Sequence, residues 1–190
     1  MAEGTSDEKL VRSVLSGDRG AFGELVERYE DMVLAVAYAR VGTIEEARDV
    51  AQEAFLACHM SLGRLLDGSQ FGRWLYGITR RQSVYWLRGR DRHAKGPEAK
   101  ADGGGGEPDS GPHESVMAEE RLKDIRTAIE TLPVRYREVM VLRYFHGRSY
   151  EDIARFLGLT VSGVDTRMQR GRILLVERLD ALGLGGGDEL

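Results

Sequence analysis

Residues 148–174 read RSYEDIARFLGLTVSGVDTRMQRGRIL. Ser149 is placed to cap a helix whose third residue is Asp152, and Tyr150, Ile153, Ala154 and Leu157 recur on one face at helical spacing. Gly158 suits the left-handed conformation that ends such a helix, Leu159 can fill the angle behind it, and Thr160 can cap the next. In that second helix Val164, Met168 and Leu175 form an inward stripe, which turns Ser162, Asp165, Thr166, Arg167, Gln169, Arg170 and Arg172 outward. Small Ala154 falls where two helices must cross closely. A solvated helical hairpin is the plain alternative. The coincidence of cap, small residue, glycine turn and basic second helix predicts instead a helix-turn-helix that reads a DNA groove.

Outward from this motif, Pro133 starts a helix expected to carry Tyr136, Met140 and Phe145 inward as far as Gly147. Residues 116–132 place Leu122, Ile125, Ile129 and Leu132 on one stripe. Residues 91–115 hold four consecutive glycines, three prolines and almost nothing apolar, which predicts a disordered, flexible linker and a domain boundary.

Four helices are expected before it. The first carries Leu10, Val11, Val14 and Leu15; the second carries Phe22, Leu25, Val26, Tyr29, Val33, Val36 and Ala37 and stops at Gly42. Thr43 and Glu46 suggest a capping box for the third, with Ala47, Val50, Ala51, Ala54, Phe55, Cys58 and Leu62 inward. A turn at Asp67, Gly68 and Ser69 precedes the fourth, whose inward stripe is Phe71, Trp74, Leu75, Ile78 and Tyr85. No segment shows strand alternation. The chain therefore reads as all-α: a short helical segment (1–18), a helical domain (19–92), a linker (93–115), a helix-turn-helix domain (116–182) and a frayed tail (183–190).

A length of 190 residues suits two small domains, and the net charge of −4 conceals a block pattern. Residues 71–92 carry six basic side chains against one acidic, and residues 121–172 eleven against six, within an otherwise acidic chain. Two separate DNA contacts are implied. On the fourth helix Arg73, Arg80, Arg81, Arg88, Arg90 and Arg92 crowd around Tyr76, Tyr85 and Trp86; guanidinium groups pair with phosphates and aromatic faces stack on unpaired bases. Asp49, Gln52 and Glu53 share an outward face of the third helix.

Cys58 is the lone cysteine and the four histidines lack metal-ligand spacing, so neither a disulfide framework nor a metal or other cofactor is expected. The first ten residues show no signal pattern and no run approaches a membrane span, which points to the cytoplasm. No nucleophile with a positioned base, paired carboxylates or phosphate-cradling loop argues for an enzyme.

The whole arrangement resembles the extracytoplasmic-function (ECF) sigma factors, the compact branch of the sigma-70 family. The motifs that carry the resemblance are, in order, FGELVERYEDMV (22–33), DVAQEAF (49–55), the helix 71–80 with Phe71, Trp74, Leu75, Ile78 and Arg80, LPVRYREV (132–139), and SYEDIARFLG (149–158). The resemblance implies a sigma-2 domain over 19–92 that docks on the clamp of core RNA polymerase through Asp49, Gln52 and Glu53. Promoter DNA would be opened at the −10 element by Arg73, Arg80, Arg81, Tyr85, Trp86 and Arg88, with base selection by a loop within residues 65–70. It further implies a sigma-4 domain whose Ser162, Asp165, Thr166, Arg167, Gln169, Arg170 and Arg172 meet the −35 element, and an anti-sigma partner that hides both basic faces.

Three departures stand out. Asp165 occupies a position where lysine is frequent in the family, Arg81 one where asparagine is frequent, and the linker is unusually long and glycine-rich. A helix-turn-helix repressor or activator that works without polymerase is the alternative reading, and a pure interaction adaptor the third.

Overall fold

The computed structural model describes residues 5–94 and 127–181, and every regular element within them is helical. Helix α1 (Asp7–Leu15) is capped by Ser6 and buries Leu10 and Val11. Helix α2 (Arg19–Val41) is the axis of the N-terminal module: Asp18 caps it, Gly42 ends it at φ +95°, and Leu25, Tyr29, Val33 and Val36 lie in the core. Tyr29 donates to Asp7 at 2.5 Å, and Arg28 pairs with the same carboxylate, which pins α1 across α2. Helix α3 (Ile44–Ser61) starts at Thr43, whose Oγ1 accepts from the Glu46 backbone at 3.3 Å. The capping box is only half formed, because the Glu46 carboxylate pairs with Arg90 at 3.1 Å instead of reaching back.

Helix α4 (Phe71–Ala94) follows two short 3-10 turns and buries Phe71, Leu75 and Ile78 as expected. Tyr85 corrects the stripe read from the sequence: it is 65% exposed, while Thr79 and Ser83 lie fully inside. Their hydroxyls donate to the Leu75 and Thr79 carbonyls at 3.0 and 2.9 Å, so neither is left unpaired. These small side chains let α4 pack against α2 and α3 along the row Leu75, Thr79, Ser83.

In the C-terminal module residues 127–130 are helical, and Ile129 and Leu132 enter the core. Helix α5 (Val134–Met140) does not run on evenly to Gly147; Val141–Phe145 is a π turn. The wider turn keeps Val141 and Leu142 inside but leaves Tyr144 and Phe145 more than half exposed, so Phe145 is not the inward residue its spacing suggested. Residues 91–94, read from the sequence as the start of the linker, are instead the last residues of α4; the rest of the expected linker, 95–115, and 116–126 of the helix expected after it lie outside the described residues.

The two modules pack directly on each other. Phe156, which the inward stripe of its own module does not need, is 1% exposed: it stacks on Tyr29 with centroids 5.9 Å apart and meets Tyr76 edge-on at 5.8 Å. Burying such a ring contributes about 1.5–3 kcal/mol. Beside it Glu138 is 2% exposed and accepts from Arg40 Nε at 2.8 Å and from the Tyr76 hydroxyl at 3.2 Å. Burial pushes its carboxyl above the ordinary range, against the pull of Arg40. Arg137 donates to the Ala39 carbonyl at 3.0 Å, and Arg148 pairs with Asp31 at 2.9 Å.

Candidate nucleic-acid interface

The helix-turn-helix forms as its residue types require. Ser149 Oγ accepts from the Asp152 backbone at 3.1 Å and donates to its carboxylate at 2.8 Å, which starts helix α6 (Tyr150–Leu157). Gly158 closes it at φ +67° and ψ +41°, and Thr160 Oγ1 accepts from the Gly163 backbone at 3.0 Å to open helix α7 (Val161–Ala181). Val164 and Met168 are fully buried and Gly171 lies against Met140 and Tyr136, where a Cβ would meet the Met140 sulfur at 2.8 Å. That close crossing fixes the height of α7 above the module.

The outer face of α7 presents Ser162, Thr166, Gln169, Arg170 and Arg172 fully, and Asp165 and Arg167 half-buried. They are not independent. Gln169 Nε2 donates to Asp165 at 2.9 Å, which leaves the Gln169 carbonyl oxygen free to accept. Thr166 donates to the Ser162 carbonyl at 2.8 Å, and Arg172 Nε to the Tyr144 hydroxyl at 2.8 Å, with its guanidinium also over that ring. The π turn thus orients one arginine of α7.

On α4 the predicted residues line three hollows: one holds Tyr85, Trp86 and Arg90 with Glu46, Val50 and Glu53 of α3, and the other two are neighbours that share Arg81. The first of these neighbours, of about 490 Å³, is walled by Arg73, Trp74, Arg81 and the loop side chains Leu66, Asp67 and Gln70. Leu66 at its rim is fully exposed. The second, of about 340 Å³, gathers Arg80, Arg81, Tyr85 and Arg88 with Arg40 of α2. Trp86 is half-buried against Val41, Ala47 and Val50, so its ring is shared with the core and is less free than Tyr85 for stacking. Asp49, Gln52 and Glu53 stand exposed on α3, and Leu56 and Met60 continue the same face at helical spacing, 53% and 79% exposed. The inward stripe read from the sequence leaves those two out and gives them no role. Among the described residues no group of acidic, histidine and cysteine side chains could hold a metal, and no helix is long and apolar enough to cross a membrane.

Two family models match the chain: sigma-70 region 2 over residues 25–93, which takes in α3 and α4, and sigma-70 region 4 over residues 122–175, which ends in the helix-turn-helix. The chain is 32% identical over 183 residues to the RNA polymerase sigma-H factor of Pseudomonas aeruginosa, covering 93% of this chain and 95% of that one. It is 30% identical over 185 residues to the ECF RNA polymerase sigma factor SigW of Bacillus subtilis, covering 90% and 96%. The chain belongs to the ECF sigma factors. Its fold agrees with that of CnrH, solved in complex with the cytosolic domain of CnrY, at a TM-score of 0.60 and 25% identity over 93% of this chain and 99% of CnrH.

As an ECF sigma factor the protein binds core RNA polymerase, recognises −35 and −10 promoter elements and promotes melting for initiation; it directs an enzyme and is not one. A free-standing repressor leaves the region 2 match unexplained.

Proposed function

We propose that the division of labour among residues is as follows. The outer face of α7 reads the −35 element, with Arg167, Arg170 and Arg172 on phosphates or guanine edges and Ser162, Asp165, Thr166 and Gln169 nearest the bases. With Asp165 holding one Gln169 donor, the pair offers acceptors to the groove, which favours the amino group of cytosine where lysine would favour guanine. The α4 hollows take the −10 element: Arg73, Arg80, Arg81 and Arg88 hold the backbone, Tyr85 stacks on an unpaired base, Trp86 supports it from the core side, and the loop 65–70 closes on a flipped base. Unstacking costs a few kcal/mol per step, and capture of the freed base offsets it.

Asp49, Gln52 and Glu53, extended by Leu56 and Met60, form the face that docks on the polymerase clamp. The functional units are residues 19–92 and 116–182, and the site of action is the cytoplasm, where the polymerase is. CnrH, solved with CnrY, supports regulation by an anti-sigma protein for this chain as well. The observation that carries this reading is the concentration of arginines and an exposed tyrosine around two adjoining hollows on one helix. Permanganate footprinting of a promoter complex with core polymerase tests it. Tyr85→Ala should keep −35 protection and lose reactive unpaired thymines; unchanged reactivity would remove Tyr85 from melting.

A further inference from the structure

The hollow assigned to a captured −10 base has one wall that α4 does not supply: Leu66, Asp67 and Gln70 stand opposite Arg73 and Trp74. A loop selects among bases only if its height over the helix is fixed. Its own hydrogen bonds are short-range. Leu65 N donates to the Leu62 carbonyl, Gln70 N to the Asp67 carbonyl, and Ser69 N to the Asp67 carboxylate at 2.9 Å. These bonds shape the turns Leu62–Arg64 and Gly68–Gln70 and leave the position of the whole loop to packing.

The packing comes from α1. A Cβ on Gly68 would stand 2.9 Å from the Glu8 Cα and 3.3 Å from its Cγ, so the loop lies directly on the first turn of that helix. Gly68 is not at positive φ, so contact alone calls for glycine there. Four residues on, a Cβ on Gly72 would meet the Tyr29 ring and hydroxyl at 2.8 Å. Tyr29 in turn donates to Asp7, which also pairs with Arg28, and Arg28 Nη2 donates to the Thr5 carbonyl at 2.7 Å. Leu10 and Val11 of α1 are buried beneath. The loop is thus gripped at its back by one short helix, while Leu66 at its front is fully exposed. Helix α1 lies ahead of the region 2 match over residues 25–93, which leaves it without an assigned part.

We propose that α1 is a brace that sets base preference at −10, with Asp7 and Glu8 as positioning residues that hold the loop 65–70 at a fixed height over Arg73 and Trp74. The brace rests on the assignment of that loop to a flipped base. A hollow rejects a wrong base only if its wall does not yield, so a slackened brace admits more bases and leaves the −35 contact as it was.

Run-off transcription with core polymerase and a promoter library randomised at −10 reads the preference position by position. Gly68→Ala drives the loop away from α1, and Asp7→Ala frees α1 from Arg28 and Tyr29; neither residue lines the hollow. Both variants should lower preference at the same single −10 position by about fivefold or more, the low end of what one read base pair supplies. Preference at other positions and at −35 should stay within about twofold, as for independent sites. Asp7→Asn, which can still accept from Tyr29, should restore part of the loss. Should Gly68→Ala not fold, the two Asp7 variants decide alone. An even loss of transcription across the library would mark a purely structural role and overturn the brace. Leu66→Ala and Gln70→Ala probe the loop itself. If they shift one −10 position and the Gly68 and Asp7 variants shift none, the brace is overturned and the loop assignment stands. If no variant shifts any position, the loop assignment fails and the brace fails with it.

Discussion

Gly158→Ala isolates the turn on which the helix-turn-helix depends. At φ +67° an L side chain sits in the left-handed region, at a cost of about 1–2 kcal/mol. The new Cβ would also stand 2.7 Å from Arg73 Nε and 3.0 Å from its Cδ, so the middle of that side chain must move. Arg73 is exposed and can swing aside, which keeps this second cost near the low end of about 1–3 kcal/mol for overpacking. The sum is about 2–3 kcal/mol, or a Tm lower by about 4–12 °C for a chain of this size.

Gly23→Ala is the matched control, since it adds the same methyl group within α2 at ordinary helical φ with nothing within 4 Å. It should stabilise by about 0.5–1 kcal/mol and raise Tm by about 1–4 °C. Thermal melts followed by circular dichroism read both. A Gly158→Ala shift within about 1 °C of zero, or shifts of the same sign in the two variants, would refute the reasoning.

Burial pushes the Cys58 thiol up to about 12, so a thiol-specific chromogenic reagent should find none in the native protein and one after denaturation. Glu138 is lifted above the ordinary carboxylate range chiefly by burial, so the folded chain holds that proton more tightly than the unfolded chain. Its contribution is full below the ordinary carboxylate value and is lost as pH rises through the lifted one; Glu138→Gln should flatten this part of the stability profile in chemical denaturation across acid to neutral pH. If Arg170 meets a phosphate, Arg170→Ala should lower the slope of log affinity against log salt by about 0.9 for a −35 duplex; an unchanged slope with altered base preference would place it on a base edge.

Much of this molecule was legible in its residues, and the illegible parts share a cause. Caps and glycine stops at Gly42, Ser149, Gly158 and Thr160 are local events between residues a few positions apart, and the structure has each where its chemistry requires. The inward face of α4 was misplaced at Tyr85 because periodicity cannot tell an exposed aromatic from a core one, and Thr79 and Ser83 enter the core only by bonding backward to their own helix. Phe156 and Glu138 carried no signal because their partners Tyr29, Tyr76 and Arg40 lie far away in sequence. Leu56 and Met60 look like ordinary apolar helix residues; only their exposure beside Gln52 and Glu53 supports adding them to the proposed docking face.

We propose that this protein selects start sites by docking α3 on the polymerase and placing α7 and α4 on promoter DNA. Run-off transcription from a promoter library with core polymerase tests it most directly, comparing the wild-type chain, no added factor, and Gln52→Arg with Glu53→Arg. Start sites should need the wild-type chain, share sequence near −35 and −10, and vanish with the docking-face variant although its melting temperature is unchanged. Start sites that persist undiminished with that variant would contradict the assignment of α3, and an absence of factor-dependent start sites with the wild-type chain would contradict the account as a whole.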